Sequence, residues 1–140
     1  MITGAEAMRL CLEAEGVTKI FGYPGAAIHH FYEELSNSDT IEHILVRQEQ
    51  NAGHMASGYA RTTGTVGVCL ATSGPGAANL FTAIATAYMD SIPIVAITGQ
   101  VNSTLLGRDV FQEIDTTGAV SPFIKHSYLI KDAHDIPRVF

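Results

Sequence analysis

Tryptophan is absent from the 140 residues, and only 16% of them are charged, against roughly a quarter in an average soluble domain. A deficit of that kind points to surface that faces another subunit or domain rather than water. A basic excess is lacking too: 8 Lys and Arg stand against 14 Asp and Glu, giving a net charge of −6 and a pI near 5.4. Without a basic patch the chain is not built for nucleic acid or for an anionic membrane surface. Cysteine is scarce, with Cys11 and Cys69 alone, and neither belongs to a C-x-x-C or His-paired metal spacing. Both lie among apolar residues, as reduced core cysteines do in a cytoplasmic protein. No basic, apolar and cleavage-site series reads as a secretory signal. The stretch 62–89 carries no charge and is long enough for a bilayer span of about 20 residues. Thr72-Ser73-Gly74-Pro75-Gly76 interrupts it, however, so no membrane span is expected.

What is present is 46% hydrophobic residues and 13 glycines in the length of one ordinary domain. Thr3-Gly4-Ala5-Glu6 is a capping box, followed by Ala5, Met8, Leu12 and Glu15 at helical spacing up to Gly16. Lys19-Ile20-Phe21 reads as a short strand ending in the turn Gly22-Tyr23-Pro24-Gly25. A helix over 27–35 places Ile28, Phe31, Tyr32 and Leu35 on its apolar side, and 41–46 is strand-like. The spacing of Ala52, Met55, Ala56 and Tyr59 predicts a second helix over 48–63. A strand over 66–71, a turn over 72–76, a helix over 77–89 and a strand over 94–98 come next. The stretch 99–110 reads as loop, the residues to 120 as ambiguous, and 124–130 as a last strand. Residues 133–140 have the pattern of an opening helix.

Strands this apolar, alternating with helices, predict an α/β fold: a parallel sheet with helices on both faces. Residues 1–140 form a single domain in this reading, expected to lack a last helix and strand because the helical pattern is cut short.

In an open α/β sheet, ligands bind outside the carboxyl ends of the strands. Four loops leave those ends, carrying Tyr23 to Ala26, Arg47 to Gln50, Thr72 to Asn79, and Gly99 to Gln112. Gly74-Pro75-Gly76 at a helix start suggests an anion cradle. It lacks the third glycine of a dinucleotide fingerprint and the lysine of a Walker A loop; a tight strand-to-helix turn is the competing reading. Glu49 is the most informative acid, directly after a buried-type strand, with no further acid before Asp90. Burial there would let it hold or share a proton near neutrality, while an ordinary first-turn carboxylate stabilised by the helix dipole remains the alternative. The histidines offer no ligand spacing. His29 and His30 are neighbours expected to diverge on their helix, so no metal site is predicted.

Taken together, the loops resemble a known family. Phe21-Gly22-Tyr23-Pro24-Gly25, the run Arg47-x-Glu49-Gln50-x-Ala52-x-His54-Met55-Ala56-x-Gly58-Tyr59-Ala60-Arg61, and Thr72-Ser73-Gly74-Pro75-Gly76 resemble the N-terminal pyrimidine-binding domain of thiamine-diphosphate enzymes. Ala85-x-Ala87-Tyr88-Met89-Asp90-Ser91-x-Pro93, Gly99-Gln100-Val101 and Phe111-Gln112-Glu113 narrow the resemblance to acetolactate (acetohydroxyacid) synthase large subunits. It covers essentially the whole chain in the same order.

The resemblance implies a thiamine-diphosphate-binding fold in which Glu49 is catalytic, bonding N1′ of the aminopyrimidine to favour the tautomer that removes the cofactor's own C2 proton. It implies that Tyr23, Pro24, Gly25, Thr72, Pro75, Gly76 and Asn79 pack round the aminopyrimidine. Ala26, Asn102, Phe111 and Gln112 would border the substrate channel. The implied reaction condenses pyruvate with a second 2-oxo acid, with loss of carbon dioxide, in branched-chain amino-acid biosynthesis. Diphosphate and Mg2+ belong in this family to a C-terminal domain supplied across a dimer interface, so the chain alone is expected to be inactive. Phe111-Gln112-Glu113 points to the FAD-containing branch, with FAD bound mainly outside this chain. A homodimer or homotetramer, a possible regulatory subunit and a cytoplasmic location are further implications. Ala26, Ala78, Gln48 and Asn102 stand where the family commonly has Gly, Thr, His and Pro. That puts substrate preference and inhibitor fit in question. The alternatives are another thiamine-diphosphate carboligase or decarboxylase, such as glyoxylate carboligase, or a non-catalytic interaction module.

Overall fold

The computed structural model describes residues 2–108 and 110–140; Asp109, within the stretch read as loop, lies outside the described residues. Helix α1 (Gly4–Ala14) starts with the N-cap half of the capping box, Thr3 Oγ1 accepting from the Glu6 N–H at 3.0 Å. Strand β1 (Lys19–Gly22) leads through a 3-10 turn (Ala26–Ile28) into α2 (His29–Leu35). Strand β2 (Glu42–Leu45) precedes the long α3 (Glu49–Thr63), and β3 (Gly67–Ala71) precedes α4 (Pro75–Asn79) and α5 (Phe81–Met89). Strand β4 (Ile94–Thr98) is followed by short helices α6 (Thr116–Val120) and α7 (Ile136–Val139).

The four strands form one all-parallel sheet in the order β2-β1-β3-β4. Alternation along the strands divides the core in two. Ile20, Val68 and Leu70 pack with Leu12, Phe31 and Leu35 of α1 and α2. Phe21, Cys69 and Ala71 pack with Ala52, Ala56 and Leu80 from the α3–α5 side. Every residue of β3 is buried, as expected of the central strand of a sheet covered on both faces. The expected α/β architecture is therefore present.

Beyond one-residue shifts at element ends, the sequence reading differs at three points. The helix expected over 77–89 begins at Pro75, because Pro suits a first helical turn, and divides at Leu80. There the Leu80 N–H bonds Ala77 O three residues back at 3.0 Å, tightening the turn around a fully buried side chain. The first turn of the helix expected over 27–35 is 3-10.

The segment 124–130 is not a strand. It and β4 both line an open, largely apolar groove of about 1790 Å³; the segment does not pair with the free edge of β4, so its backbone joins no ladder. Its residues from Lys125 to Leu129 are exposed. Among the described residues no helix is long and apolar enough to cross a membrane; the charge-free stretch 62–89 is divided among the end of α3, β3, α4 and α5.

Candidate functional site

Because the strands are parallel, the segments after β1, β2, β3 and β4 leave from the same edge of the sheet. They meet there, and the glycines show how closely. A Cβ on Gly25 would lie 2.5 Å from Thr72 Cβ, and one on Gly99 would lie 2.6 Å from Ala27 O. Thr72 is buried, and its Oγ1 accepts from the Ala27 N–H at 3.3 Å. The loop after β1 is thus clipped to the turn after β3. Gly74 has φ +56°, a left-handed conformation that favours glycine. Its missing side chain admits the backbone of Gln112, whose O would lie 2.5 Å from a Cβ there. Gln112 itself has φ +58°, so two unusual backbone conformations face each other at this contact.

Glu49, the first residue of α3, joins the same cluster. Its Oε2 accepts from Asn79 Nδ2 at 2.9 Å, and its Oε1 would lie 3.2 Å from a Cβ built on Gly76. The side chain is half-buried rather than fully buried as expected, because α3 begins at the open rim of the sheet, where one side of the carboxyl meets solvent. Among the described residues it forms no ion pair; its partner is a neutral amide. Oε1 lies against Gly76, a buried residue whose missing side chain leaves room for both the carboxyl and the Thr72 methyl.

The structure brings Gly25, Glu49, Thr72, Gly76, Asn79 and Gln112 together. Asn79 bonds the carboxyl itself. Tyr23, Pro24, Ala26 and Pro75 lie exposed along the same rim. Phe111 is 84% exposed beside Gln112. Asn102 is engaged locally, its Oδ1 accepting from the Thr104 N–H at 3.0 Å to cap a 3-10 turn (Ser103–Leu105). The turn after β3 is a poor anion cradle. Pro75 has no N–H, and the Gly76 and Ala78 N–H groups donate to Ser73 O and Gly74 O at 3.2 and 2.9 Å.

Two residues behind this rim escaped the sequence reading. Tyr32, assigned there to an apolar helix face, has its hydroxyl packed over Gly22, buried and without a hydrogen-bond partner. Burial and, secondarily, the negative charge of Glu49 hold its phenol far above its ordinary value, so it stays neutral. His43 meets the Tyr32 ring edge-on, with centroids 4.9 Å apart. The signal available was chemical: a tyrosine on a core-facing stripe carries a polar end that needs a destination. Ser73, only 2% exposed and with its Oγ unpartnered, was likewise passed over inside the turn.

The expectation that His29 and His30 diverge is corrected. Nε2 of His29 and Nδ1 of His30 reach the two oxygens of Glu33, at 3.2 and 3.1 Å, because Glu33 lies one helical turn from both. Among the described residues no group of three or more His, Cys, Asp or Glu is placed to hold a metal ion.

Comparison with known proteins agrees with the geometry. Residues 2–119 match the family described as thiamine pyrophosphate enzyme, N-terminal TPP binding domain. The chain is 56% identical over 138 residues to an acetolactate synthase of Mycobacterium bovis, covering 99% of this chain and 22% of that protein. It is 55% identical over 140 residues to the acetolactate synthase large subunit of Buchnera aphidicola, covering 100% of this chain and 24% of the relative. With the large subunit of acetolactate synthase isozyme 3 from Escherichia coli it shares 54% identity over 139 residues, 99% of this chain and 24% of the relative. The chain thus spans 22–24% of the length of these relatives.

Proposed function

The chain belongs to the thiamine pyrophosphate enzymes, as an N-terminal TPP-binding domain; on that premise we propose that it is the pyrimidine-binding part of an acetolactate synthase large subunit. The observation that carries this reading is the position of Glu49 at the rim where the four loops meet, with one carboxyl oxygen held by Asn79 and the other beside Gly76. When bound, thiamine diphosphate supplies the electron sink for decarboxylating one 2-oxo acid and passing its remaining fragment to another. Glu49 would bond the ring nitrogen N1′ through Oε1 and share a proton with it. Such sharing asks for an acid that is neither locked by a cation nor fully solvated, and the half-buried, amide-bonded Glu49 meets both conditions.

Tyr23, Pro24 and Gly25 on one side, and Thr72, Pro75 and Gly76 on the other, would bound the aminopyrimidine. Ala26, Asn102, Phe111 and Gln112 would border the approach of pyruvate and a second 2-oxo acid. Mg2+ and the diphosphate would be held mainly by residues outside this chain; the Gly74-Pro75-Gly76 turn has its Gly76 N–H donating within the turn. FAD would be held mainly outside the chain as well. The complete protein would work as a homodimer or homotetramer in the cytoplasm, with room for a regulatory subunit, in branched-chain amino-acid synthesis. Residues 1–140 would be its N-terminal domain, not active alone.

The test is product analysis with the complete protein. Pyruvate should yield 2-acetolactate; release of the aldehyde instead would move the assignment to another thiamine-diphosphate carboligase or decarboxylase. Glu49→Gln should lower kcat by about a hundredfold or more, within the range for removing acid–base help. Near-normal turnover of that variant would take Glu49 out of its role.

A further inference from the structure

Among the described residues the Glu49 carboxyl has one hydrogen-bond partner, Asn79 Nδ2 at 2.9 Å on Oε2. Both backbones at this contact are fixed by buried neighbours. On one side, α3 packs against α5 so tightly that Gly53 admits the Ala83 methyl, and Ala52 is fully buried. On the other, Asn79 ends α4 directly before Leu80, which is fully buried. The hydrogen bond is therefore held by the packing of three helices and not by two free side chains.

An amide is a particular choice of partner. A Lys or Arg would stabilise only the ionised acid. A carboxamide N–H can donate to Oε2 both when Glu49 is ionised and when it carries its proton on Oε1. It orients the acid in either protonation state without committing it to one. An acid that must share a proton with a ring nitrogen passes between those states.

We propose that Asn79 is a positioning residue that orients the Glu49 carboxyl, holding Oε2 so that Oε1 is presented across Gly76 to the cofactor's ring nitrogen. This assigns Asn79 to the carboxyl and not to direct packing on the aminopyrimidine, and it rests on the reading of Glu49 given above. The Asn79 side chain is exposed at the rim, so replacing it leaves the core intact.

The test uses the complete protein and two ligands: thiamine diphosphate and a pyridine analogue in which CH replaces N1′. The wild type should bind the intact cofactor more tightly, and Glu49→Ala should abolish that preference. Asn79→Leu should lower the preference by about tenfold, the order of one hydrogen bond to a charged group. Asn79→Asp, which keeps the shape but removes the donor and adds like charge, should do the same. Asn79→Gln, which retains the amide, should recover part of it. In turnover, Asn79→Leu should lower kcat while KM for the 2-oxo acid stays within about twofold, as for an interaction made at the reacting centre and not in substrate binding. If Glu49→Ala loses the preference while Asn79→Leu and Asn79→Asp keep it, the carboxyl orients itself and the positioning role is wrong. If Glu49→Ala also keeps it, the assignment of Glu49 fails, and the role of Asn79 with it.

Discussion

At the scale of single residues, the site depends on side chains that are absent as much as on those present. Gly76 shows this best. A Cβ there would lie 2.6 Å from Thr72 Cγ2 and 3.2 Å from Glu49 Oε1. Thr72 is buried, clipped to Ala27 and β-branched, so it has little room to turn away. Gly76→Ala should therefore fill the space in front of the carboxyl and weaken thiamine diphosphate binding by at least about tenfold, equal to ~1.4 kcal/mol. The fold should lose stability as well, because overpacking costs ~1–3 kcal/mol, of which alanine returns up to ~1 kcal/mol of helix propensity over glycine. Calorimetric titration of the complete protein and a thermal melt separate the two effects; unchanged affinity would show that the ring does not cross Gly76. Glu49 stood out in the sequence as a lone acid after an apolar strand, but an ordinary first-turn carboxylate fitted the same position, and only the resemblance gave it a role. The Asn79 bond was not legible, since the two residues lie far apart along the chain and only the convergence of α3 and α4 joins them. Tyr32 was misleading for a related reason: its helical spacing fitted a core position, and nothing local revealed that its hydroxyl would be left over Gly22 without a partner.

At the scale of elements, the strands were readable because each is a short apolar run bounded by turn residues, and a parallel sheet buries both faces of its strands. The exception, 124–130, has the composition of a strand but lies across a groove from the open edge of β4 without pairing to it, and pairing is a property of two segments. Register also determines where titratable groups end up. Because Ile20 pairs with His43, the imidazole falls on the α1–α2 face of the sheet, against Tyr32 of α2 and the backbone of Gly22, with its Nε2 buried and unpartnered. Burial holds it below its ordinary value of 6.5, only partly opposed by the Gly22 backbone. The folded state thus prefers neutral His43 more than the unfolded chain does. The stability this confers is complete above about pH 6.5 and is lost as pH falls through the lowered folded value. Glu13 and Asp132 are shifted down instead, Glu13 by Ser38 first and Asp132 by His134, so their contributions are lost only below the ordinary carboxylate values of 4.5 and 3.8. Between about pH 7 and about pH 5 the urea midpoint should fall, and His43→Phe should reduce that fall. An equal fall in the variant would assign the acid sensitivity to another group.

For the molecule as a whole, low charge content implied a covered surface, and the structure shows where apolar surface is open. Among the described residues strand β4 pairs with β3 on one side only, leaving a row of N–H and C=O groups on its other edge, the usual template for pairing with another chain. The groove beside that edge is bordered by Ile94 to Thr98 and by the exposed Tyr128 and Leu129 of the segment that forms no strand. Val95 itself is 42% exposed. Elsewhere Met89 and Phe111 also stand out from the surface, but neither offers a free backbone edge. The 140-residue chain by itself should therefore self-associate as its concentration rises, and through β4 more than through scattered side chains. Val95→Lys tests the location. Its aliphatic stem can lie along the groove while the ammonium reaches water, so the fold should survive, and charge on an edge strand opposes edge-to-edge pairing. Sedimentation velocity should show the parent chain shifting to larger species between about micromolar and about hundred-micromolar concentration, the range in which weak contacts of ~5–8 kcal/mol become populated. The Val95→Lys chain should stay monomeric over the same range with an unchanged circular dichroism spectrum. A parent chain that remains monomeric throughout would mean that the groove closes on itself in solution. Association undiminished in Val95→Lys would move the contact to another face, the first candidate being the exposed end of α5 around Tyr88 and Met89.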